Sequence, residues 1–251
     1  MKRLFLFLIN NRCINQFWIL IGKDNFVKKY QSNWAKLKYD ESKSTQENVG
    51  FSHNKETQEA IDSVHKQLQA SYLEHSNGNQ VLDIGCGTGL YLVDFPDSAV
   101  LTGTDLSQEL LKKAKNVVPK AKLLEGDFLS LNFDSNFDFI FSISVIEYVP
   151  PSKLNRLSQK VKLMLNAEGI VFIQYPHATT NEHLYYSDLS YVHYSPRKME
   201  KAFVNSGFDI VSHVHSFDGR TLSGIKKDDK TYDPEKEKSF RNGAILIARK
   251  K

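Results

Sequence analysis

The chain has 251 residues, of which 41% are hydrophobic and 25% charged, with 13 Gly and 7 Pro; this globular composition excludes disordered and collagen-like classes, and the length favours one α/β domain with small additions. Two cysteines, Cys13 and Cys86, exclude a disulfide or Cys-rich metal framework and give no sign of an oxidising compartment. A net charge of +4 excludes a strongly basic nucleic-acid coat, although it leaves room for a basic patch.

The charge is uneven. Residues 1–40 carry Lys2, Arg3, Arg12, Lys23, Lys28, Lys29, Lys36 and Lys38 against Asp24 and Asp40, so the remainder is net acidic. The same end holds two oily runs, Leu4–Ile9 and Phe17–Ile21. No small-x-small cleavage site follows the first run, as a signal peptide would need. Arg12, among Asn10, Asn11, Asn15 and Gln16, interrupts any membrane span. Residues 1–22 are therefore expected to form a helix packed on the main domain. The alternatives are an amphipathic helix lying on an anionic membrane and a cleaved organellar presequence, since no acid precedes Asp24. The expected location is cytoplasmic, with peripheral membrane contact through residues 1–22 as the variant.

Residues 1–55 read as a basic, apolar extension or cap, and 56–251 as the main domain. From Glu56, Ile61, Val64, Leu68 and Tyr72 follow helical spacing, and Asn77-Gly78-Asn79 ends that helix. Strands then alternate with helices. Strands are expected at Val81–Ile84, Val100–Thr104, Lys120–Leu124, Phe137–Ile143, Ile170–Tyr175, Phe208–Val214 and Ala244–Ala248. Helices are expected from Ser107 to Lys115, after Pro150-Pro151 with Ser152 as cap, and after Ser195-Pro196 with Gly207 as stop. Residues 218–242 are polar and read as a long mobile hairpin loop. The alternation predicts a doubly wound, mostly parallel sheet with ligands outside the carboxyl ends of its strands.

The first strand runs into Asp83-Ile84-Gly85-Cys86-Gly87-Thr88-Gly89-Leu90. Glycines at alternate positions allow a tight turn and close approach of a ligand. The dinucleotide fingerprint would place Gly where Leu90 stands, and no Lys or Arg occurs from Val81 to Leu111. Asp83 at the strand end would repel a pyrophosphate by ~1–4 kcal/mol. The turn suits a nucleoside-like ligand that is cationic and lacks phosphate, as S-adenosylmethionine is. Asp105, 22 residues after Asp83, can accept both ribose hydroxyls as the acid of dinucleotide folds does. Asp127 can accept from an adenine amino group, and Phe128 can pack on the ring.

Val81–Leu90 (VLDIGCGTGL), Thr104–Ser107 (TDLS), Glu125–Phe128 (EGDF), Phe137–Val149 (FDFIFSISVIEYV) and Leu165–Pro176 (LNAEGIVFIQYP) resemble the successive motifs of class I S-adenosylmethionine-dependent methyltransferases, above all the small-molecule subgroup that includes quinone-biosynthesis enzymes. The resemblance covers about residues 56–215. It implies a seven-stranded Rossmann-like sheet with its last strand antiparallel, S-adenosylmethionine as cofactor, and a cofactor-binding set of Asp83, Gly85, Cys86, Gly87, Gly89, Asp105, Leu106, Asp127, Phe128 and Ile143. Where many relatives carry Glu-His-Val, this chain has Glu147-Tyr148-Val149, and the common Lys-Pro-Gly-Gly turn is Asn166-Ala167-Glu168-Gly169. Both departures leave the acceptor open.

Methyl transfer needs an acceptor held in line, water excluded and, for a hydroxyl or carbon acid, a base. Ser142-Ile143-Ser144 offers no carboxylates for a metal-dependent mechanism, so no metal is expected. A Pro-Pro-aromatic segment of DNA amino-methyltransferase type is missing from that strand end. Residues 176–195 hold His177, His183 and His193 with Tyr185, Tyr186, Tyr191 and Tyr194, which suits either a lid with an aromatic acceptor pocket or a surface loop whose aromatics pack on the sheet edge. His177 is the first candidate base, followed by Tyr148 and His193. The expected function is methylation of a small-molecule or lipid- or glycan-linked acceptor. RNA or protein methylation, or a non-catalytic cofactor-binding module, are the alternatives; DNA is not an expected partner.

Overall fold

The computed structural model describes residues 35–42, 55–178, 184–186, 191–214 and 243–251. The expectations for residues 1–22 and 218–242, and for the side chains of His183, Tyr185, Tyr186 and Tyr191, lie outside the described residues.

The four-residue spacing of apolar positions gives helix α1 (Lys55–His75), which buries Ile61, Val64, Leu68 and Tyr72. Strands β1 (Gln80–Ile84), β2 (Val100–Asp105), β3 (Lys122–Glu125) and β4 (Phe137–Ile143) follow, with helix α2 (Gln108–Val117) between β2 and β3. Helix α3 (Leu154–Met164) leads into β5 (Leu165–Pro176). A short antiparallel pair, β6 (Leu184–Tyr186) with β7 (Tyr191–His193), precedes helix α4 (Pro196–Asn205), β8 (Phe208–Val214) and β9 (Gly243–Lys250).

The main sheet has seven strands in the order β3-β2-β1-β4-β5-β9-β8. β1 to β5 pair in parallel, and β9 runs antiparallel to both β5 and β8. This is the expected architecture, antiparallel last strand included. Alternate residues of the central strands feed two cores. Leu82, Ile140, Val171 and Ile173 pack under α3 and α4 with Leu157, Val161 and Phe203. Val81, Phe139, Phe141 and Phe172 pack under α1 and α2 with Val64, Leu68 and Leu111. Helices on both faces explain why the strands read as continuous apolar runs.

Two expected caps are corrected. Ser107 Oγ does accept from the Leu110 amide and caps α2. Ser152 lies instead inside a 3-10 turn, Pro151–Lys153, and α3 starts after Lys153 without a side-chain cap. Ser195 precedes α4 but makes no side-chain cap bond; Pro196 at the first turn fixes the helix entry. The pair β6–β7 was not expected as strands: three-residue strands carry too short an alternation to show.

Candidate active site

Parallel pairing brings the carboxyl ends of β1, β2, β3 and β4 to one edge, where Ile84 lies level with Thr104 and Asp105 with Glu125. The glycine turn leaves β1 at that edge. Gly85, Gly87 and Gly89 all have positive φ, at 78°, 53° and 83°, a region in which glycine carries no steric penalty. At Gly85 the constraint is also one of space, since a Cβ would come within 2.3 Å of Val145 Cγ2. The segment after β4 thus closes directly on the first glycine. Cys86 is buried with its Sγ against Gly103.

Two carboxylates organise this edge. Asp105 takes the Gly87 amide on Oδ2 (2.9 Å) and the Ser107 amide on Oδ1 (2.8 Å). Each oxygen retains a second lone pair. Burial raises the Asp105 pKa, while the amides of Ser107, Gly87 and Leu106 pull it down. Asp83 is 2% exposed; burial, then the charge of Asp105, push its pKa well above the usual carboxylate range. The same two causes, with Asp83 joining Asp105, push the Cys86 thiol up. Tyr91, just past the turn, is raised by burial, Asp83 and Asp94. Its ring lies 4.5 Å from that of His65 on α1, and His65 pairs with Asp94, which fastens α1 beside the turn.

The third acid is placed differently. Asp127 is half-buried, and its Oδ1 accepts from the Leu129 amide at 3.0 Å, capping its own turn. Phe128 is 7% exposed and belongs to the core, with its ring 6.3 Å from Phe133. That placement gives the ring to core packing and not to a ligand face. Leu106 is half-buried and Ile143 buried at the ends of β2 and β4.

The candidate bases are drawn together by a second junction. Beyond β4, a 3-10 turn, Ile146–Tyr148, packs against β5 and β7. His177 and Tyr194 form a parallel bridge, and the Ala178 amide donates to the Tyr194 carbonyl (2.8 Å). Tyr194 in turn donates its hydroxyl to the Val149 carbonyl. The three elements bearing Tyr148, His177 and His193 are therefore stitched to one another. His177 is wholly buried, with Nδ1 2.9 Å from the Ala178 carbonyl. Donation there assigns the proton to Nδ1 and the lone pair to Nε2. His193 is buried and Tyr148 half-buried.

Sequence reasoning missed three groups. Ser144 holds φ 54°, a strained value for a residue with a Cβ. Gln174 Oε1 secures it by accepting from the Ser144 amide and hydroxyl, both at 3.0 Å. Glu147 is buried, and its pKa is pushed up to about 8 by burial. Thr88 Oγ1, inside the glycine turn, is buried with no hydrogen-bond partner. A Glu before a hydrophobic pair and a Ser after a strand carry no sequence signal of burial or strain.

The donor set fits an S-adenosylmethionine-like ligand. The turn is open to close approach, Thr88 Oγ1 is an orphaned polar atom within it, and two carboxylates face no Lys or Arg from residues 81–111. Among the described residues no group of three or more metal-ligating side chains exists.

Residues 81–169 match the methyltransferase domain family. A sterol 4-C-methyltransferase of Caenorhabditis elegans is 31% identical over 134 residues, covering 50% of this chain and 39% of that protein. An uncharacterised Haemophilus influenzae protein is 28% identical over 133 residues, covering 48% and 51%. The chain thus spans about half, or less, of the length of these relatives. Among solved structures, an S-adenosylmethionine-dependent methyltransferase of Mesorhizobium loti superposes with a TM-score of 0.58 at 20% identity, covering 76% of this chain and 100% of that one. The N-methyltransferase NodS of Bradyrhizobium japonicum, solved with S-adenosyl-L-homocysteine, gives 0.58 at 14% identity, covering 79% and 89%. The matched segment runs from β1 to the start of β5 and contains the glycine turn, Asp83 and Asp105, so the part of the chain that is similar to the methyltransferase domain family is the part that builds the candidate site.

Proposed function

We propose that this chain transfers a methyl group from S-adenosylmethionine to a small-molecule acceptor. The observation that carries the reading is the pair of buried Asp83 and half-buried Asp105 beside a glycine turn with no basic residue from 81 to 111. A cationic ligand offsets the cost of two neighbouring acids, whereas a phosphate adds to it. Asp105 holds the ribose hydroxyls, Asp83 faces the positive charge, and Asp127 accepts from the adenine amino group. Gly85, Gly87 and Gly89 provide the close approach, while Cys86, Leu106 and Ile143 frame the cavity. When bound, the cofactor supplies a methyl group activated for in-line displacement by its sulfonium. On the acceptor side, Tyr148, His177 and His193 orient the substrate and exclude water.

The small-molecule class is supported by the activities named for relatives, the sterol methyltransferase and a trans-aconitate 2-methyltransferase of an Enterobacter strain among them. A lipid-linked acceptor would suit peripheral membrane contact through residues 1–22. No helix among the described residues is long and apolar enough to cross a membrane.

The test is transfer of labelled methyl from S-adenosylmethionine into fractionated cell extract. Label in small solutes or lipid is expected. Label confined to RNA or protein would overturn the acceptor class, and S-adenosylhomocysteine binding without any transfer would reduce the chain to a binding module.

A further inference from the structure

Glu147 has no part in the site described so far, yet it is the one carboxylate among the described residues with a buried oxygen, Oε2, that lacks any hydrogen-bond partner. A buried polar atom left unpaired costs ~1–3 kcal/mol, and such a group in a folded protein requires an explanation. Its position supplies one. Glu147 lies two residues after Val145, which rests on Gly85 of the cofactor turn, and two before Val149, whose carbonyl receives the Tyr194 hydroxyl. Its turn packs against β5 and β7. The strained Ser144, pinned by Gln174, fixes where this turn leaves β4.

Resting on the reading of the chain as a methyltransferase, we propose that Glu147 is the base for this reaction, its Oε2 taking the proton from the reacting atom of an acceptor that arrives as a hydroxyl or an ammonium. In the balanced step, the acceptor's proton passes to Glu147, which for an ammonium frees the lone pair; that lone pair forms the new bond to the methyl carbon, the carbon–sulfur bond breaks, and its electrons remain on sulfur. The assignment also names a class that is excluded: an acceptor reacting through a carboxylate carries no proton to remove.

The other titratable groups on the elements around this turn are Tyr148 on the turn itself, Tyr175 at the end of β5, His177 just beyond it, and His193 and Tyr194 on and after β7. None is an acid. Burial is the first cause of the raised Glu147 pKa, opposed by the residue's own backbone amide, and the value of about 8 suits proton transfer near neutral pH. His177 and His193 then orient the acceptor.

The experiment compares wild type with Glu147→Gln and Glu147→Asp from pH 6 to 9.5. It measures labelled methyl entering small solutes and lipids of a cell extract, S-adenosylhomocysteine affinity by calorimetry, and the protonated-carboxyl infrared band. Wild-type transfer is expected to rise with pH and level off above about 8. Glu147→Gln should be ~10²–10⁴-fold slower and lose that rise, Glu147→Asp should keep it at reduced rate, and both should bind S-adenosylhomocysteine within twofold of wild type. The part of the infrared band that titrates near pH 8 in wild type should be missing from the Gln variant. Wild-type rate and pH profile in Glu147→Gln would overturn the assignment, as would a wild-type chain with no carboxyl titrating between pH 7 and 9. A product from which mild base releases labelled methanol, the mark of a methyl ester, would overturn it too. No transfer by wild type into any fraction would instead overturn the methyltransferase reading on which it rests.

Discussion

Asp105 shapes the turn and, under the proposed function, binds the ligand as well. Its two amide bonds shape the glycine turn, and its remaining lone pairs suit the ribose. Charge-assisted hydrogen bonds contribute ~1.5–3 kcal/mol, so Asp105→Ala should weaken S-adenosylhomocysteine binding roughly 10- to 150-fold by calorimetry. Unchanged affinity would remove Asp105 from the ribose. Asp83 makes a separate prediction about pH. Its proton is retained above the usual carboxylate range because of burial and Asp105, and a cationic ligand favours the ionised form. S-adenosylmethionine affinity should therefore tighten as pH rises above that range, by up to about tenfold per unit, and Asp83→Asn should flatten the dependence. Glu147 runs in the opposite sense for stability. Its folded pKa, raised from 4.5 to about 8, means that the folded chain holds a proton the unfolded chain has lost. The stability of the neutral carboxyl is present in full below pH 4.5 and disappears as pH climbs to 8. At ~1.4 kcal/mol per unit this amounts to roughly 5 kcal/mol at most. Urea titrations of wild type and Glu147→Gln should show the variant gaining relative stability between pH 5 and 9.

At the scale of elements, sequence and structure agree where a pattern is long. The spacing of Ile61, Val64, Leu68 and Tyr72 marked α1, and the glycine turn marked the end of β1, because burial on one face and positive φ leave residue types as their trace. Asp83 and Asp105 were legible as candidate site residues for the same reason: charge at the ends of apolar strands stands out. The misses are local or long-range. Ser152 resembles a cap but sits in a 3-10 turn, since the two prolines before it fix the chain entry. Phe128 follows a candidate acid, and its ring packs into the core. Glu147 gave no signal because its burial depends on β5 and β7 closing over it. That closure leans on Tyr194, buried and bonded to the Val149 carbonyl. Tyr194→Phe removes the donor and leaves a buried carbonyl, so a loss of ~1–3 kcal/mol in denaturant unfolding is expected. If the junction shapes only the acceptor side, S-adenosylhomocysteine affinity should stay unchanged.

Across the whole molecule, the basic extension and the acidic domain complement one another in charge. The described part of the extension already docks: Tyr39 lies under Lys113 of α2, 4.5 Å from ring centroid to Nζ, and Glu41 pairs with the same lysine. Lys113 thus binds an aromatic ring and a carboxylate from residues 35–42, which places that stretch beside α2. Residues 1–22, with Leu4, Phe5, Leu8, Ile9, Phe17 and Leu20 among only three basic residues, have more apolar surface than an exposed segment sustains. We propose that this stretch, which lies outside the described residues, packs on the domain. Deleting residues 1–22 should then lower Tm, at roughly 2–4 °C for each kcal/mol lost in a chain of this size. The full-length chain should stay in the supernatant when anionic phosphatidylserine vesicles are pelleted. Were the segment a membrane anchor, the full chain would pellet and the deletion would abolish pelleting, since each basic side chain near an anionic surface contributes ~1 kcal/mol. In that case Tm and S-adenosylhomocysteine affinity would be the same for both forms. Vesicle binding by the full-length chain, with no change of Tm on deletion, would reverse the packing assignment.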